Sequence, residues 1–235
     1  MQRYKRVLLK LSGEALAGDK KTGYDEQTVM GVAKQVKTLV EEGVEIGIVI
    51  GGGNFWRGRT SETIDRSKAD QIGMLATVMN CIYVSEIFRF AGIATQVTTP
   101  FECGSFTELF SKDKVLQCFK EKKVVFFAGG MGHPFFSTDM ATAHRAIEIE
   151  ADIILAARAI DGVYDSDPNK NLNARKFAEI PMKEVVSRQL GIMDLAAAVL
   201  CMENKVPMIV FSLNEDGSII KAARGESSGT IISAE

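Results

Sequence analysis

The chain has 235 residues, 46% hydrophobic and 25% charged, with 21 glycines and five prolines, a globular composition that excludes collagen-like, low-complexity and disordered classes. Its 28 Lys and Arg against 30 Asp and Glu give a net charge of -2, without the basic surplus of a non-specific nucleic-acid binder.

In chain order, short β-branched runs alternate with stretches of helical period, the signature of a largely parallel sheet covered by helices. A strand is predicted at residues 6–11. A helix follows at 25–43, where Val29, Val32, Ala33, Val36, Leu39 and Val40 share one face and Gly43 ends the run. Next come a strand at 45–50, a helix at 70–90, a strand at 94–98, a helix at 112–121, a strand at 123–128, a helix at 138–150 and a strand at 152–157. The polar segment 161–174 reads as a lid or substrate-covering hairpin. Helices at 182–190 and 195–204 and strands at 207–211 and 229–232 complete the pattern. No repeat or linker divides it, so a single α/β domain over 1–235, a three-layer sandwich around a largely parallel sheet, is expected.

The four cysteines, Cys81, Cys103, Cys118 and Cys201, form no C-x-x-C pair, and His133 and His144 are not at helical ligand spacing. Structural zinc is therefore not expected, and a reduced compartment is. With no signal-like start and no apolar run of about 18 residues, a soluble, cytoplasmic protein with no membrane partner is expected.

Three strands run into glycine: V-L-L-K-L-S-G-E (7–14), I-G-I-V-I-G-G-G-N (46–54) and V-V-F-F-A-G-G-M-G (124–132). In a parallel sheet such ends share the edge where ligands bind, and glycine lets backbone N–H groups approach phosphate oxygens. A phosphate-bearing ligand is implied. The Walker, dinucleotide-binding and protein-kinase signatures are all missing.

Lys10 ends an apolar strand, where it either snorkels to the edge or neutralises a transferring phosphoryl group. Arg57, after the second glycine cluster, suits a bidentate phosphate contact. Asp70 opens a predicted helix and is either its cap or a partner for a ribose hydroxyl pair. Asp194, in G-I-M-D-L-A-A-A, is a helix cap or an orienting partner for Lys10. Asp165, Asp167 and Asn169 mimic a calcium loop, but Lys170 and Lys176 occupy the required Gly and Glu positions. Tyr164 and Asp167 suit adenine packing and a ribose contact instead. Phosphoryl transfer to an acceptor that is already anionic needs positioning and charge neutralisation rather than a general base.

The segments K-L-S-G-E (10–14), G-G-G-N-F-W-R-G (51–58), G-M-L-A-T-V-M-N (73–80), P-F-F-S-T-D (134–139), I-E-I-E-A-D (147–152), D-G-V-Y-D-S-D-P (161–168) and M-D-L-A-A (193–197) closely resemble the bacterial uridylate kinases. These are the UMP kinases of the amino acid kinase superfamily, and the likeness runs through essentially the whole chain. It implies the amino acid kinase fold, transfer from ATP to UMP with Mg²⁺, feedback inhibition by UTP and a cytosolic homohexamer.

Carried over by motif, Lys10, Leu11, Ser12, Gly13, Gly53 and Arg57 would surround the ATP phosphates, and Tyr164 and Asp167 the adenosine. Gly52, Asp70, Met131, Gly132, His133, Pro134, Phe135, Phe136, Ser137 and Thr138 would surround UMP. Lys10, Asp194 and Arg57 would be catalytic. Where the family commonly reads G-T-G-N, this chain has Gly130-Met131-Gly132-His133, which removes a hydroxyl and an amide from the acceptor side. Arg158 stands at a strand end where relatives often have lysines and a threonine, and its position assigns it to ATP. The helix end Tyr83 to Phe90 lacks most of the cations of GTP-activated relatives, so weak or absent GTP activation is expected. The alternatives are a superfamily kinase with a carboxylate or carbamate acceptor and a non-catalytic nucleotide sensor on the same fold.

Overall fold

A computed structural model describes residues 4–20, 22–56, 63–168 and 170–234. Its elements are β1 (Arg6–Leu11), α1 (Gly13–Ala17), a 3-10 turn (Gly18–Lys20), α2 (Glu26–Glu41), β2 (Glu45–Ile50), α3 (Arg66–Phe90), β3 (Thr95–Thr99), β4 (Glu108–Leu109), α4 (Lys112–Lys120), β5 (Val124–Phe127), α5 (Thr138–Glu148), β6 (Ile153–Arg158), β7 (Glu179–Pro181), α6 (Met182–Ser187), α7 (Leu195–Glu203), β8 (Met208–Ser212), α8 (Ser218–Arg224) and β9 (Thr230–Ser233). The strands form one nine-stranded sheet in the order β4-β3-β5-β2-β1-β6-β8-β9-β7. Every pairing is parallel except β8 with β9.

Central strands are apolar at nearly every position because both of their faces are covered. In β1, Val7, Leu9 and Leu11 enter one core and Leu8 the other. The first core is closed by α2, α3 and α8, the second by α4, α5, α6 and α7. Gly47 in β2 is there for space: a Cβ would sit 2.6 Å from the Phe127 ring.

The expected sandwich and largely parallel sheet are thus present, and the predicted strands fall within a residue or so of the observed ones. Two expectations need correction. α3 starts at Arg66, not at residue 70, and its cap is Asp65, whose carboxylate accepts from the N–H groups of Ser67 and Lys68; Asp70 lies one turn inside. α3 also contains a window apolar enough, by length and composition, to cross a membrane. A core helix passes the same test, and buried Val78, Cys81, Val84 and Phe88 pack α3 into the first core.

Candidate active site

The parallel register brings the C-terminal ends of β1, β2, β5 and β6 to one edge. Lys10 projects there from β1, and its ammonium forms an ion pair with Asp139 in the first turn of α5. Ser137 caps that helix by accepting from the Met140 N–H, which fixes where Asp139 points. Asp139 also accepts from the Asp194 N–H at 3.2 Å and lies 3.7 Å from the Arg158 guanidinium. One carboxylate therefore gathers the ends of β1 and β6 and the start of α7.

Burial is the largest influence on Lys10 and pushes its pKa below the ordinary 10.5. Arg158 acts in the same direction, while Asp139 and Asp194 oppose it. Burial alone would raise the Asp139 pKa, but the Lys10 charge and hydrogen bond, with Arg158, bring it below 3.8. We take both groups as charged at neutral pH, because neutralising either one would leave the other buried without the counter-charge bonded to it.

The glycine loops close against one another. A Cβ on Gly13 would lie 2.4 Å from the Gly51 carbonyl and 2.5 Å from Asn54 Oδ1. Asn54 and Asn80, both fully buried, exchange amide hydrogen bonds at 3.1 and 2.7 Å, and Asn80 donates to the Gly51 carbonyl at 2.7 Å. This pair ties the second glycine loop to α3.

Above the loops lies a cavity of about 340 Å³. Of the residues selected from sequence, Lys10, Ser12, Gly13, Gly52, Gly53, Asp70, Met131, Phe136, Ser137, Thr138 and Asp194 line it. Gly132, His133, Pro134 and Phe135 do not line it; the chain turns outward there, with Phe135 at a φ of 70° and exposed. Leu11 is buried in the core beneath the site. Arg57 lies outside the described residues.

Lys10, Ser12 and Asp139 also wall a second cavity of about 540 Å³. Arg158 connects that cavity to a third, of about 490 Å³, containing Tyr164 and Asp167. The Lys10–Asp139 pair thus stands in the wall common to the first two cavities. Tyr164 donates to Asp161 at 2.7 Å, and Asp161 pairs with Lys176 at 2.8 Å. Nearby, the Asp165 N–H donates to the Arg175 carbonyl at 3.0 Å and the Arg175 N–H donates to the Asp165 carboxylate at 2.9 Å, tying the two sides of this segment together.

Asp194 stands at the start of α7 without a side-chain capping bond, so capping does not account for it. Sequence reasoning did not select Asp139, Glu14 or Arg66, which share the cavity wall. Asp139 sits inside a family-like motif, P-F-F-S-T-D, but alone reads as a helix-start acid.

Glycine-lined strand ends, a helix N-terminus and a lysine–carboxylate–arginine cluster between adjoining cavities define a phosphotransferase-type site on an α/β sheet. The family model described as the amino acid kinase family matches residues 5–212. Two solved structures match over nearly their whole length. A UMP kinase from Bacillus anthracis is 34% identical with a TM-score of 0.94, covering 99% of this chain and 97% of that one. A UMP kinase from Ureaplasma parvum is 31% identical with a TM-score of 0.92, covering 98% and 99%. A uridylate kinase from Archaeoglobus fulgidus, 23% identical with a TM-score of 0.76 and covering 99% and 100%, shares the fold. The chain belongs to the amino acid kinase family, in its UMP kinase branch.

Proposed function

We propose that this chain transfers the γ-phosphoryl group of ATP to UMP, giving ADP and UDP. The observation that carries the reading is the placement of Lys10, Asp139 and Arg158 where two cavities meet, one walled by Asp70 and Thr138 and the other by Arg158 and Asn214. An acceptor phosphate oxygen attacks the γ-phosphorus in line. The bond to the β–γ bridging oxygen breaks, and its electron pair leaves with ADP. The acceptor is already anionic, so no general base is needed. Lys10 neutralises charge that builds on the transferring group, and Asp139 holds it in place before the substrates arrive, so that little reorganisation accompanies transfer.

Gly52 and the N-terminus of α5 at Ser137 and Thr138 serve the UMP phosphate, with Asp70 at the ribose. Ser12, Gly13 and Gly53 serve the ATP phosphates, with Tyr164 and Asp167 at the adenosine. Arg57 is assigned to the transferring group by its motif alone. Arg158 belongs on the ATP side. Its Nε is buried and has no hydrogen-bond partner among the described residues, a costly state that a phosphate oxygen relieves. In this reading one domain divides the work: the N-terminal part serves UMP and the C-terminal part ATP.

Magnesium fits as a companion of ATP. Among the described residues no three His, Cys, Asp or Glu side chains gather to cage a cation, whereas Mg²⁺ commonly keeps water and phosphate oxygens with one or two carboxylates. Glu14 and Asp194, on the cavity wall, are the carboxylates placed to meet it. When bound, the ion neutralises charge on the phosphates.

We also expect a cytoplasmic homohexamer, inhibited by UTP and activated weakly or not at all by GTP. The four unpaired cysteines fit a reducing compartment. Exposed Ile72, Leu75 and Met79 on one face of α3 fit self-association.

The test is ADP formation from Mg·ATP with UMP, CMP, dUMP, N-acetylglutamate and carbamate offered separately. Turnover with UMP is expected. Turnover confined to a carboxylate or carbamate, or nucleotide binding with no turnover at all, would overturn the reading.

A further inference from the structure

Three residues outside the transfer cluster link α3, in the wall of the first cavity, to the turn that precedes α5. Arg66 Nε donates to both oxygens of Asp70, at 3.0 and 2.9 Å. The N–H of Phe135, 65 residues further along, donates to Asp70 Oδ2 at 2.8 Å. The Arg66 guanidinium lies over the Phe135 ring, with Cζ 5.6 Å from its centroid. Arg66 therefore touches both of the other two.

An ion pair four residues apart on an open helix contributes little, and that would suffice if Asp70 faced water. The Asp70 side chain is only 15% exposed, and Arg66 and Asp70 share the cavity wall. Phe135 is held at a φ of 70°, a conformation unfavourable for an aromatic residue that persists only where neighbours over-determine it. Its N–H bond to Asp70 and its ring contact with Arg66 are such neighbours. Arginine suits the position because its planar group can hydrogen-bond through an edge while its face covers a ring.

We propose that Arg66 is a positioning residue for acceptor specificity. With Phe135 it clamps the Asp70 carboxylate in one orientation, in which the remaining lone pairs meet the ribose hydroxyls of the acceptor. An ionised carboxylate has about four acceptor positions, so the clamp leaves room for a vicinal diol. The inference rests on the reading of this cavity as the UMP site.

The test is steady-state kinetics of the full chain with UMP and dUMP, comparing Arg66→Gln, Arg66→Lys, Asp70→Asn and the Arg66→Gln/Asp70→Asn double variant. Both Arg66 variants should raise the UMP KM about tenfold, leave kcat and the ATP KM within about threefold, and lower the preference for UMP over dUMP. The double variant should be no worse than Asp70→Asn alone. A normal UMP KM in Arg66→Lys overturns the arginine-specific clamp, and additive losses overturn coupling through Asp70. If Asp70→Asn itself leaves the UMP KM unchanged, the acceptor reading fails rather than the clamp alone. Should the Arg66 variants not fold, Phe135→Gly removes the ring and relieves the positive φ. A raised UMP KM there supports the clamp and an unchanged one overturns it.

Discussion

Lys10 stood out in the sequence because a lysine in an apolar strand is costly unless an anion meets it. The anion itself was not legible, because Asp139 lies 129 residues away and reaches Lys10 only through the β1–β6 pairing and the placement of α5. Since burial, chiefly, lowers the Lys10 pKa below 10.5, its ammonium loses its proton earlier than an ordinary lysine. A rate that needs this charge therefore falls as pH rises toward 10.5 from below. Lys10→Arg, whose group stays protonated, should be slower yet show a flatter alkaline limb in a kcat–pH profile; identical limbs would assign that ionisation elsewhere. For Asp139, burial opposes ionisation but Lys10 and Arg158 prevail and the folded pKa is lowered. Its stabilisation is thus fully present above the unfolded value near 3.8 and disappears as pH falls through the lower folded value. Asp139→Asn leaves Lys10 buried without its bonded carboxylate and should cost about 3–5 kcal/mol at neutral pH. Thermal melts from pH 7 down to about 3 should show the gap between the two proteins narrowing at the acid end; a constant gap would mean that the pair does not titrate as described.

At the scale of elements, the strands were legible from β-branched runs, since burial on both faces leaves no polar alternation to misread. What escaped is short or polar. The first turn of α3, Arg66 to Lys68, carries no apolar residue, so periodicity became visible only further on. α8 has seven residues between Gly217 and Gly225, both with left-handed backbone, and β4 and β7 have two and three residues, too few for a pattern. Their pairing is decided by neighbours distant in sequence. The glycine loops were read as places where backbone N–H groups approach phosphate oxygens; what the structure adds, and the sequence did not show, is that Gly13 packs against the second loop itself. Gly13→Ala would drive a methyl group against the Gly51 carbonyl and the Asn54 amide. We expect a loss of about 1–3 kcal/mol, seen as a lower Tm, together with weakened ATP binding, because relief requires the two loops to separate. An unchanged Tm and ATP affinity would show that the loops tolerate the separation.

For the whole molecule, β1 lies mid-sheet with β2 and β5 on one side and β6 and β8 on the other. That order puts two cavities against one lysine, which a linear sequence does not display. The outer surface adds a second large-scale feature. Ile72, Leu75 and Met79, 39%, 53% and 50% exposed, follow helical spacing along α3. Near the same helix, Tyr24 stacks on Tyr83 at 3.8 Å and meets the exposed Phe55 edge-on at 5.3 Å. Single exposed apolar residues are ordinary, but a row of them along one helix face is a surface that association would bury. If the chain assembles through this face, placing carboxylates in the row opposes burial by desolvation and like-charge repulsion across the interface. Leu75→Glu with Met79→Glu should therefore lower the molar mass measured by light scattering while leaving far-UV circular dichroism unchanged. Because Leu75 and Met79 lie on the same helix as Asp70, the dissociated form should also lose UMP affinity before ATP affinity. An unaltered molar mass in the double variant would remove α3 from the assembly and require that contact elsewhere on the surface.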